Sequence, residues 1–169
     1  KWVSISVIRH KDNRIHYYVS QFTDITEKKK KDELLLFQAN YDSLTGLPNR
    51  NLFKDRLEMK IQESRKNGSL LALLFLDLDH FKDINDTLGH DKGDELLKQV
   101  AIRIKGCITE QDTVARLGGD EFAVILSTIV DRTQIRLIAQ NIIQSLNEPF
   151  NFDRSQTDYY ISTSIGIVF

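Results

Sequence analysis

Seven consecutive apolar residues, Leu70–Leu76 (LLALLFL), run directly into Asp77-Leu78-Asp79. An unbroken apolar run of this length is the mark of a strand covered on both faces, since a half-exposed strand would alternate with polar residues. The chain must therefore supply neighbours for both edges of this strand and cover for its faces. Thr113–Leu117 and Phe122–Ser127 read as two further strands around Gly118-Gly119, a dipeptide that tolerates the positive φ of a hairpin turn. A last strand is expected over Tyr159–Phe169, interrupted by Gly166.

Helices fall between these strands. Phe81, Ile84 and Leu88 predict a short helix closed by Gly89. Leu96, Val100, Ile104 and Ile108 recur at helical spacing in a longer one from about Asp91. Ile135, Ile138, Ala139, Ile142 and Leu146 define a third, ended by Pro149. From Leu70 onward the order is β-α-β-β-α-β, which predicts an α+β fold of ferredoxin-like type: an antiparallel sheet with its helices on one face. Ahead of it, Pro48 suits the first turn of a helix carrying Phe53, Leu57 and Ile61 and stopping at Asn67-Gly68.

The first forty residues have another character. Residues 2–8 and 15–22 read as two strands joined through His10–Arg14. Asp24 and Thr26 can cap a helix running to about Tyr41, with a sticky patch at Leu34, Leu35 and Phe37. Two strands alone are marginally stable, so this stretch is not an independent domain. The chain opens abruptly at Lys1 without Met and reads as part of something longer.

Composition narrows the partners. Lys+Arg 23 against Asp+Glu 24 gives a net charge of −1, which makes no case for nucleic-acid binding. The basic run Lys28–Lys31 reads as a solvated helix face. The single cysteine, Cys107, permits no internal disulfide and no Cys-rich zinc module. No stretch approaches the 18 apolar residues of a membrane span. A reducing, cytoplasmic setting is expected.

Chemistry concentrates in the acids. Asp77 ends the central strand, and Asp120 and Glu121 follow the two glycines of the hairpin expected beside it. Unpaired acids are costly to desolvate, so they either sit in a wet turn or hold a metal. If the strands are neighbours, the carboxylates meet at one sheet edge. That arrangement suits Mg²⁺, which takes few protein oxygens and leaves room for phosphate. A calcium loop fails because Phe81 occupies the next ligand position after Asp77 and Asp79. No glycine loop ending in Lys-Ser/Thr is present, which argues against a P-loop NTPase.

Four stretches, "YDSLTGLPNR" (41–50), "FLDLDHFKDINDTLGHDKGD" (75–94), "RLGGDEFAVIL" (116–126) and "STSIGI" (162–167), resemble the motifs of the GGDEF diguanylate cyclases in order and spacing. The resemblance covers about residues 41–169. It implies a palm-like nucleotidyl-cyclase fold, GTP as substrate and cyclic di-GMP as product, made across a homodimer that presents one GTP from each subunit. It implies Mg²⁺, with Mn²⁺ as a substitute, on Asp77, the Leu78 carbonyl and Asp120, with Glu121 as a further ligand. Asp120 and Glu121 would be the catalytic acids, Asp120 doubling as proton acceptor. Gly118 and Gly119 would admit the nucleotide, Asn85 and Asp94 would read guanine, His90 would bind substrate, and Phe81-Lys82 would meet the phosphates. On spacing alone Asn85 and Asp94 also read as helix caps and His90 as a surface residue. Asp79 reads as a holder of local structure and Arg50 as a structural ion-pair partner.

Two departures from the family pattern stand out. Product-inhibited members carry Arg-x-x-Asp ahead of the glycines; here Thr109 replaces the Arg, so no inhibitory product site is expected. Family domains normally continue past the last strand into a basic helix, and this chain stops at Phe169. The organisation expected is the terminal strands of a PAS sensor domain over 1–26, a signalling helix over 27–41, and a GGDEF domain over 42–169. Such chains often carry a downstream EAL phosphodiesterase domain, and the whole protein could be tethered to a membrane. The alternative to catalysis is a weakly active, GTP-binding module that controls such a phosphodiesterase.

Overall fold

A computed structural model describes residues 2–9, 12, 15–152 and 157–169. The chain divides into two compact units, Lys1–Gln38 and Ala39–Phe169. In the first, β1 (Trp2–Arg9) and β2 (Ile15–Thr23) pair antiparallel, from Trp2 opposite Thr23 to Arg9 opposite Ile15. Apart from Asp12, the turn expected between them lies outside the described residues. Helix α1 (Thr26–Asn40) begins where the Asp24 carboxylate accepts from the Thr26 amide at 2.9 Å and from its hydroxyl. That is the capping role its residue type favours. Leu34–Phe37 are exposed.

The second unit is built on one four-stranded antiparallel sheet. Its elements are α2 (Arg50–Asn67), β3 (Leu70–Leu78), α3 (Phe81–Leu88), α4 (His90–Gly106), β4 (Thr113–Gly118), β5 (Glu121–Ile129), α5 (Arg132–Asn147) and β6 (Thr163–Val168). The strand order is β4-β5-β3-β6, with the apolar run in the middle as expected. Ala72, Leu74, Leu76 and Leu78 of β3 are buried on one face, against Leu96, Val100 and Ile104 of α4 and Ile135, Ile142 and Leu146 of α5.

The helices do not all lie on that face. On the other, Phe53 and Leu57 of α2 pack with Leu71, Leu73, Ala115, Leu117, Ala123 and Ile125. The physical reason is the pleat: β3, β4 and β5 carry apolar residues at alternate positions on this side too, and they need cover. The cover is partial, because Phe75 remains 43% exposed. The fully covered strand expected from the sequence is therefore covered along part of its second face.

Smaller boundaries differ as well. Asn49, not Pro48, starts α2: its side-chain oxygen accepts from the Asn51 and Leu52 amides at 3.0 and 3.1 Å, which leaves Pro48 outside the helix. Helix α4 ends at Gly106, so Ile108 reaches the core from the following loop. Strand β6 starts at Thr163 rather than Tyr159, because Tyr159 makes an isolated bridge to Phe150 instead.

Candidate functional site

Asp77 stands directly opposite Glu121 of β5 and opposite Ser164 of β6. Glu121 is the first residue of its strand, so Asp120 occupies the turn itself. Gly118 has φ +145° and Gly119 φ +53°, conformations that L side chains rarely adopt. A Cβ at either glycine would meet no protein atom within 4 Å, so the turn demands glycine for its backbone rather than for space. β4, β5 and β3 thus bring the three predicted acids to one end of the sheet.

The electrostatics follow. Partial desolvation, then the negative charges of Asp120, Glu121 and Asp79, push the Asp77 carboxyl above the ordinary aspartate value. Asp79 differs in kind. Its oxygens accept from the Ser162 hydroxyl at 2.7 Å and the Ser164 hydroxyl at 2.8 Å, which hold it below the ordinary value. With its amide also donating to the Ser162 carbonyl, Asp79 ties β3 to β6. The Leu78 side chain is buried in the core, and the Asp77 carbonyl accepts from Thr163 Oγ1.

Glu121 has a partner: the Arg50 guanidinium reaches its carboxylate at 3.0 Å and donates to the Leu117 carbonyl at 3.2 Å. Both side chains are more than half exposed, so the pair contributes little to stability. Among the described residues, no group of three or more His, Cys, Asp or Glu is gathered closely enough to hold a metal alone. The donor set of Asp77, Asp120 and a strand-end carbonyl nonetheless fits Mg²⁺, which takes one or two carboxylates and completes its shell with water or phosphate. A cavity of about 460 Å³ opens there, lined by Arg50, Phe75, Asp77, Glu121 and Gly166 among others.

The other predicted residues form a second group on α3 and α4, and none of them lines that cavity. Asn85 lies where the helices adjoin at Gly93, the residue before Asp94: a Cβ built on Gly93 would lie 1.8 Å from Asn85 Oδ1. Gly89, at φ +87°, joins the two helices and donates its N–H to the Asn85 carbonyl. His90 opens α4 and is exposed, as are Lys82 and Asp94; Phe81 opens α3 half-buried against the core. If Asn85 reads guanine as the resemblance implies, Gly93→Ala is expected to displace its amide and weaken GTP binding about three- to tenfold, the cost of one neutral hydrogen bond. Calorimetric titration with GTP checks this, and an unchanged affinity would remove Asn85 from the guanine-reading role that the resemblance implies.

Sequence reasoning left Arg116 and Asp42 without roles, although both lie in the quoted motifs. Their guanidinium and carboxylate are paired at 3.1 Å and largely buried. The available signal was a charge inside a short strand otherwise buried, which demands a partner. Hydrogen bonds from Thr45 and Arg116 outweigh burial and hold the Asp42 carboxyl below its ordinary value near 3.8. A lowered folded-state value means that this stabilisation is complete above pH 3.8 and fades as pH falls toward the folded value. Asp77, raised, works in the opposite sense: its penalty is full above its folded value and is relieved as pH falls through it. Thermal melting from pH 7 to pH 3 should therefore show a shallower acid limb in Asp42→Asn, and a higher melting temperature at pH 7 in Asp77→Asn.

At the position of the missing Arg, Thr109 donates its amide and hydroxyl to Asp112 Oδ2, while Asp112 Oδ1 accepts from the Ser127 amide. Asp112 is thus occupied in closing its own loop.

An antiparallel sheet with acids at the end of its central strand and on the adjoining hairpin is the palm-like fold of the nucleotidyl cyclases. Within that class, the chain belongs to the diguanylate cyclase GGDEF domain family, whose model matches residues 39–169. It is 46% identical over 133 residues to the diguanylate cyclase TpbB of Pseudomonas aeruginosa, covering 79% of this chain and 30% of TpbB. It is also 46% identical over 115 residues to the cyclic di-GMP phosphodiesterase NbdA of the same organism, covering 68% of this chain and 15% of NbdA. The solved GGDEF domain of TpbB, also called YfiN, superposes with a TM-score of 0.72 at 45% identity, covering 75% of this chain and 73% of that one. The chain thus spans under a third of the curated relatives' length. Among the described residues, no helix is long and apolar enough to cross a membrane.

Proposed function

We propose that residues 42–169 form a catalytic module that condenses two GTP into cyclic di-GMP with release of two pyrophosphates. The observation that carries this reading is the register of β3 against β5, which sets Asp77 opposite Glu121 with Asp120 one residue away. Asp77, Asp120 and the Leu78 carbonyl are the proposed holders of Mg²⁺, or Mn²⁺ in its place, with Glu121 joining if it leaves Arg50. Bound there, the cation neutralises charge that builds on the α-phosphate.

The chain's own residues supply the rest. Asp120 accepts the proton of the ribose 3′-hydroxyl as that oxygen bonds to the α-phosphorus and the bond to pyrophosphate breaks. Asn85 and Asp94 address the guanine edge, an amide and a carboxylate matching its acceptor and donors. His90 adds a substrate contact, and the Phe81-Lys82 amides at the start of α3 face the phosphates. Gly118 and Gly119 leave the backbone open to the nucleotide. Since each GTP attacks the other, the active form is a homodimer with one nucleotide per subunit. The PAS strands over 1–26 and the signalling helix over 27–41 would supply its control from a cytoplasmic position.

A second reading has its own support. Glu121 is held by Arg50, and the same family similarity extends to a protein named for phosphodiesterase activity. In that reading the domain binds GTP and governs an adjacent EAL domain. Incubation with GTP and Mg²⁺, followed by nucleotide chromatography, separates the two. Cyclic di-GMP with two pyrophosphates per molecule supports catalysis, whereas a GTP-bound dimer that yields no product supports the regulatory reading.

A further inference from the structure

The turn that carries Asp120 has little packing of its own. Gly118 and Gly119 bring no side chains, and nothing lies within 4 Å of where their Cβ atoms would be. The β4–β5 ladder pairs Gly118 with Glu121 and fixes the turn's ends, which leaves the Gly119–Asp120 peptide between them to be held. Arg116 does this: its Nε donates to the Gly119 carbonyl at 3.0 Å and one terminal nitrogen donates to the same oxygen at 2.7 Å. The other terminal nitrogen contacts both carboxylate oxygens of Asp42 at 3.1 Å.

Asp42 is fixed in turn. One of its oxygens also accepts from the Thr45 amide at 2.8 Å and the Thr45 hydroxyl at 2.6 Å, and its backbone closes a turn through Leu47 and Gly46. The Arg116 amide donates to the Pro48 carbonyl at 3.0 Å, which ties the same segment to β4. The guanidinium is thus a planar fork between the anchored Asp42 carboxylate and the Gly119–Asp120 peptide.

The Gly119 carbonyl and the Asp120 N–H belong to a single planar peptide unit. Whatever fixes that oxygen fixes the direction in which the Asp120 Cα leaves the turn. We infer that Arg116, anchored by Asp42, is a positioning residue that sets the orientation of the Gly119–Asp120 peptide and so aims the Asp120 carboxylate. Its catalytic consequence rests on the proposed cyclase reading; its structural consequence does not. Lysine at 116 would keep the charge for Asp42 but lacks the fork, so the turn should loosen while the fold survives.

The test combines an isotope-edited NMR signal with kinetics. Labelling glycine with carbonyl-¹³C and aspartate with ¹⁵N lights only Gly-Asp peptides, of which the sequence has two, at 93–94 and 119–120. In Arg116→Lys and in Asp42→Asn the 119–120 signal should move or broaden while the 93–94 signal stays. The rate constant for cyclic di-GMP formation should fall roughly ten- to a hundredfold, the scale of a small misplacement of a reacting group. KM for GTP should stay within about threefold, because the hydrogen bonds of the two residues go to the Gly119 turn and the 42–48 segment rather than to Asn85 or Asp94 of the proposed guanine site. A melting curve confirms that each variant folds. An unmoved 119–120 signal in both variants overturns the inference, and so does a moved signal with an unchanged rate. If the parent makes no product, the cyclase reading fails on its own, and the NMR signal alone then decides whether the fork sets the peptide.

Discussion

Asp120→Asn is expected to lower cyclic di-GMP formation by roughly a thousandfold, within the range that one positioned acid–base group supplies. The substitution is nearly isosteric, so the turn and its Arg116 contacts should persist. It removes both the acceptor for the 3′-hydroxyl proton and one of two carboxylates proposed to hold the cation. It also removes one of the negative charges that raise Asp77, second only to partial desolvation. The Asp77 carboxyl should therefore titrate lower in the variant, which carbon-detected NMR can follow without any turnover. Melting temperature at neutral pH should hold or rise, because like-charge repulsion has been relieved. A variant that still makes product at the parental rate would remove Asp120 from the chemistry. One in which Asp77 titrates unchanged would mean that the two acids are not electrostatically coupled.

Much of this site was legible because its signals are local. Gly118-Gly119 announces a turn whatever surrounds it, and an apolar run that ends in Asp77 announces a strand whose end meets water. The unbroken apolar run of β3 and the stripe of α2 both pointed to apolar surface needing cover. Their meeting on the second face of the sheet was not readable, because no local rule assigns a helix to a face. The same limit explains β6. Tyr159 has strand chemistry, but its partner Phe150 diverts it into an isolated bridge with Phe152 stacked against its ring, at 5.2 Å between centroids.

Long-range polar contacts were the least legible. Arg103 donates to the carbonyls of Ser145, Glu148 and Pro149 and lies 3.7 Å over the Phe150 ring, closing the end of α5. Sequence reasoning credited Pro149 alone with ending that helix. Arg116 and Asp42 are separated by 74 residues, and Asp79 joins serines more than 80 residues away. Such pairs are specified by the fold, so a sequence can show that a buried charge needs a partner without showing which one. The resemblance to a family supplied roles for single residues, but it did not distinguish an acid free to bind a cation from one already held, as Glu121 is by Arg50.

Phe122→Ala should be the most damaging change to stability near the site, at about 3–5 kcal/mol, the usual range for truncating a buried aromatic. Phe122 is wholly buried, sits in β5 between β4 and β3, and pairs in register with Leu76 on one side and Arg116 on the other. It immediately follows Glu121, so its loss leaves a void next to the acidic turn. For a unit of this size the melting temperature should fall by roughly 10–15 °C. Phe122→Leu keeps most of the buried area and should cost about 1–2 kcal/mol. Phe75 gives the control. It is also aromatic and lies one residue from Leu76, but it is 43% exposed on the face only partly covered by α2. Phe75→Ala should cost about 1 kcal/mol, in proportion to the apolar area it actually hides. Denaturant titrations of the three variants measure the differences directly. Equal losses at positions 122 and 75 would mean that both faces of the sheet are equally packed, contrary to the two-face arrangement that leaves the cavity beside Asp77 open.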